Sequence, residues 1–145
     1  MKRFLIASLA SLIIGVPALA GLGRAEAAEK DMPVQSPLKD EMQTLNAVFQ
    51  KVVTAVSLGD GEAVTRALEA MHGKEERTAE ALHSGAVRPP KNADKLDEFE
   101  RLDRKFHKEL DLLASAARKN DRQKMLTLTK RLLDGCVECH SAFRR

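Results

Sequence analysis

The chain has no tryptophan and no tyrosine, and four of its five phenylalanines lie beyond residue 4. Strands draw on aromatic and β-branched side chains, so this poverty argues against a β-sandwich and for helices rich in Ala, Leu, Lys and Glu. Cysteine is equally scarce. Cys136 and Cys139 are the only two, which excludes a framework of several disulfides. Charge of one sign is also lacking: 24 Lys and Arg face 21 Asp and Glu, so there is no basic field for nucleic acid. There is one long apolar run, Phe4 to Ala20, and nothing after it is apolar enough to span a membrane. No acid, base or nucleophile constellation is visible, so the chain does not read as an enzyme.

What is present is concentrated near the C-terminus. Cys136-Val137-Glu138-Cys139-His140 is C-x-x-C-H, the attachment signature of a c-type haem. Each thiol can add across a haem vinyl group, and the adjacent imidazole can then ligate the iron. On a helix, positions 136, 139 and 140 share one face, because they lie three and four apart. A thioredoxin-like redox pair would need a βαβ context. A zinc site would need a second pair of ligands at metal spacing, and none is found. The expected cofactor is therefore one haem c, covalent through Cys136 and Cys139, with His140 as axial ligand.

The N-terminus reads as a secretory signal. Met1-Lys2-Arg3 is a basic start and Phe4 to Ala20 an apolar centre; Ala18-Leu19-Ala20 and Ala25-Glu26-Ala27 are two small-residue cleavage options, of which the second is preferred. Residues 1–27 are assigned to the signal and 28–145 to one domain of ordinary size. Losing Lys2, Arg3, Arg24 and Glu26 lowers the formal charge from +3 to about +1. Covalent haem attachment in bacteria takes place outside the cytoplasm, so signal and motif agree on a periplasmic location, with no stable membrane span after cleavage.

Four helices follow from periodicity. Ser36-Pro37 is a start signal, and Leu38, Met42, Leu45, Phe49, Val52 and Val56 form a seam at alternating spacings of four and three. Gly59-Asp60-Gly61 is a turn, with Asp60 placed to cap a second helix. That helix carries Val64, Leu68, Met71, Glu75, Thr78 and Leu82 inward; Gly73 inside it costs about 1 kcal/mol relative to Ala. Pro89-Pro90 ends the connector after it. Asn92 or Asp94 opens the third helix, with Leu96, Phe99, Leu102, Phe106, Leu110 and Leu113 in its stripe. The fourth opens at Asn120, with Gln123 in a capping box. The expected fold is all-α: an antiparallel up-down-up-down four-helix bundle with covalently attached haem.

Depth along the bundle screens the sixth ligand. The start of the first helix and the end of the fourth share one end, and at 1.5 Å per residue Met42 and His140 both sit within roughly 10 Å of it. A His/Met pair is an electron-transfer set whose thioether raises the potential. Met42 also reads as a core gap-filler. His83, at the end of the second helix, is the other candidate. Met125 lies roughly 22 Å from His140 on the same helix; Met71, His72 and His107 are too deep. Phe99 and Phe106 are placed to pack on the porphyrin or simply to fill the core. Leu45 and Phe49 would floor the pocket, and Arg144 is placed to pair with a propionate or to remain solvated.

A C-x-x-C-H almost at the C-terminus of a four-helix bundle, followed by Ser141-Ala142-Phe143-Arg144-Arg145, resembles the class II c-type cytochromes, which include the cytochrome c prime and low-spin c-556 types. Glu41-Met42-Gln43-Thr44-Leu45-Asn46 is similar to the start of the soluble periplasmic four-helix cytochrome b, in which the Met is an axial ligand. The resemblance implies His140 as proximal and Met42 as distal ligand, one-electron carriage, and a periplasmic redox partner protein. It leaves a homodimer open. The c prime branch implies an alternative: binding or sensing of nitric oxide or carbon monoxide at an open or displaceable sixth position. That branch usually has an apolar residue near this position and a five-coordinate iron, and Met42 here speaks against the gas-binding role.

Overall fold

A computed structural model describes residues 36–144. The signal predicted at 1–27, and the segment up to residue 35, lie outside the described residues. Those described are helical, with no strand among them, and no helix among them is long and apolar enough to cross a membrane.

Helix α1 spans Pro37–Leu58. Pro37 sits in its first turn, where a missing N–H costs nothing; Ser36 precedes it but makes no side-chain cap bond. The helix stops at Gly59, whose φ of 69° suits glycine. Asp60 then caps α2, Gly61–Leu68, by accepting from the Ala63 N–H at 2.9 Å.

The second predicted helix is interrupted. After Leu68 the chain makes a 3-10 turn, Glu69–Met71, and His72 leaves the helical region before α3, Lys74–His83. Gly73 has φ 68° at the break, so the glycine expected to weaken a continuous helix instead ends one and begins another. Glu75 and Glu76 favour the new N-terminus electrostatically. Lys74 Nζ donates to Asp40 Oδ2 of α1 at 2.5 Å, which pins the restart. Counted as one interrupted segment, α2 and α3 leave four helical segments, as expected.

Helix α4 spans Leu96–Arg118 and α5 Arg122–Phe143. Neither start is capped by the residue predicted. Asn92 adopts φ 51°, and its Nδ2 donates to Ala142 O at 2.7 Å, fastening the α3–α4 connector to the end of α5. Asn120 adopts φ 50°, and its Oδ1 accepts from the Gly61 N–H at 3.2 Å. Asp121 takes the capping role, accepting from the Lys124 N–H at 3.0 Å. Both asparagines therefore bridge distant segments, and both tolerate the left-handed region better than most residues.

Two apolar clusters form. The larger joins Val48, Val52 and Ala55 of α1, Val64 and Ala67 of α2, Leu110 and Leu113 of α4, and Met125, Leu128 and Leu132 of α5. Full burial of each large side chain contributes about 1.5–3 kcal/mol. Its packing is tight at Gly61, where a Cβ would stand 2.3 Å from Ala117 O. The smaller cluster joins Leu38 near the start of α1, Leu82 at the end of α3, Phe99 and Leu102 near the start of α4, and Phe143 at the end of α5. These four helix ends meet around the site.

Candidate functional site

Beside the smaller cluster lies a cavity of about 770 Å3. Helix α1 contributes Leu38 and Met42 to its wall, α4 contributes Phe99, α5 contributes Cys139, His140 and Phe143, and Arg144 follows directly after α5. A second cavity, of about 200 Å3, is bordered by Leu45 and Phe49 of α1, Phe106 of α4, and Leu133 and Cys136 of α5. Met42, Asn46 and His140 border both cavities. The structure thus brings Met42, Phe99, Cys139, His140 and Arg144 to one cavity and sets Cys136 on its smaller neighbour.

Local packing explains how α5 presents these groups. Gly135, immediately before Cys136, would place a Cβ 3.3 Å from Phe106 Cδ2, so the absent side chain lets α5 approach α4. Two turns further on, Phe143 meets Phe99 edge to face, with ring centroids 5.3 Å apart and planes at 87°, a favoured aromatic arrangement. The wall on this side is apolar. Opposite it, Met42, Leu45 and Phe49 are only half-buried, and Leu133 of α5 is 52% exposed. Apolar side chains from α1 and α5 therefore face a gap.

Burial raises the Cys136 thiol. Burial also pushes Cys139 up to about 11, with help from the charges of Asp103, Cys136 and Glu138. A dithiol poised for exchange needs the opposite shift. The His140 imidazole is lowered, by burial and then by the Arg144 charge, which favours the neutral form that ligates metals.

The residues fit a haem. A cavity of about 770 Å3 lies within the range of roughly 300–1,000 Å3 usual for cofactor sites. Its walls are largely apolar, and its donors are an imidazole nitrogen and a thioether sulfur, the axial pair of cytochromes c. Lys39 and Arg88 also border it, with Arg144. Arg88 sits in a connector read from sequence only as a break; its Nη1 donates to Leu82 O at 2.6 Å, and no periodicity marks it.

The other sequence candidates lie elsewhere. His83 is exposed, with Nε2 3.2 Å from Glu100 Oε1, and borders neither cavity. His72 is exposed; Met71 packs on the larger cluster, and Met125 is fully buried within it.

A polar cluster that helical periodicity does not mark lies between α1, α3 and α4. His107 Nε2 lies 2.8 Å from Glu41 Oε1 and 3.8 Å from Asp103 Oδ1, and its Nδ1 lies 3.4 Å from Glu75 Oε2. Burial raises Asp103 to about 6, against the lowering effect of His107. Burial works to lower His107, but the Glu41 hydrogen bond and the charges of Asp103, Glu41 and Glu75 leave it raised. The one legible signal was Asp103 and His107, four apart on one helix face.

No protein-family model, no curated protein and no solved structure matches this chain.

Proposed function

We propose that this chain is an exported, periplasmic c-type cytochrome that carries single electrons, built as an antiparallel up-down-up-down four-helix bundle of the class II kind. Cys136 and Cys139 would hold its haem through thioether bonds, and His140 and Met42 would ligate its iron. The observation that carries this reading is the convergence of Met42, Cys139 and His140 on one apolar cavity beside the C-x-x-C-H motif. The antiparallel arrangement is supported by the meeting of Leu38, Leu82, Phe99 and Phe143 at one end and by the Gly61–Asn120 bond between the far turns.

The haem iron, when bound, supplies the one-electron couple. The chain's own residues do the rest. Cys136 and Cys139, one turn apart on α5, fix the group's orientation. His140 offers its ring in the neutral form. Met42 offers a soft sulfur that favours the reduced state and raises the potential. Leu38, Phe99 and Phe143 exclude water, which limits reorganisation when charge changes. Lys39, Arg88 and Arg144 offset the propionates and give a partner protein a cationic rim to approach.

The test is the optical spectrum of the purified protein with and without carbon monoxide. A low-spin spectrum, a near-infrared Met-to-iron band in the ferric form, and slow or absent carbon monoxide binding support the carrier. A high-spin spectrum with rapid uptake would replace it with the gas-binding alternative.

A further inference from the structure

Glu41, Asp103 and His107 border neither cavity of the haem site, and they are residue types that ligate metals. We propose that it binds one divalent transition-metal cation of the zinc type, with Glu41, Asp103 and His107 as ligands and Glu75 orienting the imidazole. One ligand atom from each of the three lies within 4.8 Å of the others. Donors around a shared zinc, each at about 2.0–2.2 Å, stand roughly 3–4 Å apart. The 3.8 Å separation of His107 Nε2 from Asp103 Oδ1 falls on that scale, and the 2.8 Å hydrogen bond from His107 Nε2 to Glu41 Oε1 lies just below it.

Three further features point to a cation. Glu41 is fully buried, 0% exposed, and its Oε2 has no hydrogen-bond partner. Leaving a charged oxygen unsatisfied is expensive, and a metal ion would take it up. Glu75 Oε2 faces the other ring nitrogen, Nδ1. That is the carboxylate–histidine arrangement that fixes the tautomer of a ligating imidazole. Finally, three carboxylates meet one imidazole in a largely enclosed space, an excess of negative charge that a dication offsets. The imidazole selects zinc and its neighbours over magnesium or calcium, which prefer all-oxygen shells.

Such an ion would join α1, α3 and α4 just beyond the break at Gly73. Glu41 and Met42 are successive residues, so they point about 100° apart around α1. The same turn of α1 would then serve the ion on one side and the haem cavity on the other. The inference does not depend on the haem reading.

The experiment is equilibrium dialysis of the purified full-length export product, stripped with a chelator, against zinc chloride, with bound metal counted by mass spectrometry. It is run in a His72→Ala/His83→Ala background to remove the exposed imidazoles. One zinc per chain is expected, undisturbed by excess magnesium, with a melting temperature that rises with zinc concentration. Asp103→Asn and His107→Gln should abolish retention, and Glu75→Gln, a half-exposed position, should weaken it about 10–100-fold. If the first two variants fail to fold by circular dichroism, Glu75→Gln carries the test. The absence of retained zinc, or retention unchanged in Glu75→Gln and in whichever of the other variants fold, overturns the proposal.

Discussion

Met42 of α1 and His140 of α5 border the same two cavities, one of about 770 Å3 and one of about 200 Å3. They are 98 residues apart in sequence, yet each reaches the gap between α1 and α5. Met125 offers the same thioether from α5 itself but is fully enclosed by the larger cluster.

That contrast gives the first prediction. Met125→Leu conserves volume and should cost less than about 1.5 kcal/mol, leaving the haem spectrum unchanged. Met42→Leu should convert a low-spin spectrum to a high-spin one and open the iron to carbon monoxide. The paired spectra check this; an unchanged Met42→Leu spectrum would move the search to other donors.

Stability should depend on pH through Asp103 and His107. The folded pKa of Asp103, about 6, lies above its ordinary 3.8, so folding takes up a proton. Its stabilising effect is present at acid pH and is lost as pH rises from about 4 to about 6, a change on the order of 3 kcal/mol. His107, also raised, contributes stability present below its ordinary 6.5 and lost as pH rises through the folded value. Other carboxylates titrate across the same range, so the variant comparison isolates the effect. With chelator present, Asp103→Asn should flatten the fall in melting temperature between pH 4 and 6 relative to the parent; identical profiles would contradict this account.

Gly61 should not accept a side chain. A Cβ there would stand 2.3 Å from the Ala117 carbonyl, and backbone cannot rotate away as a side chain can. Gly61→Ala should destabilise the fold by about 1–3 kcal/mol, measured by chemical denaturation. At the neighbouring Asp60, Asp60→Ala should cost about 0.5–2 kcal/mol through the lost cap.

Much of this arrangement was legible because helices repeat. Helix α1 and the stripe from Phe99 to Leu113 follow from period, but of the seam expected on α1 only Leu38 and Val52 are buried; Met42, Leu45, Phe49 and Val56 are half-buried, and Glu41, Val48 and Ala55 complete the buried face. Depth along a helix then sufficed to set Met42 apart from Met125. What the sequence hid was not periodic. Gly73 reads as a weak point in either a continuous or a broken helix, and the Lys74–Asp40 contact that favours the break is a tertiary pairing. Asn92 and Asn120 read as caps because asparagine serves both roles; their partners, Ala142 O and the Gly61 N–H, lie far off in sequence. Glu41 sits at an ordinary helical position, and its burial depends on Asp103 and His107 meeting it across the fold. Arg88 reaches the cavity from a connector, where no pattern predicts direction.

The central claim is a haem held covalently by Cys136 and Cys139. Its most direct test is the mass of the exported protein, taken before and after extraction with acidified acetone. The account predicts a mature chain carrying one haem that stays with the protein, lost only when both cysteines are replaced by alanine. A mature chain with no added haem mass, or a haem that leaves with the solvent, would contradict it.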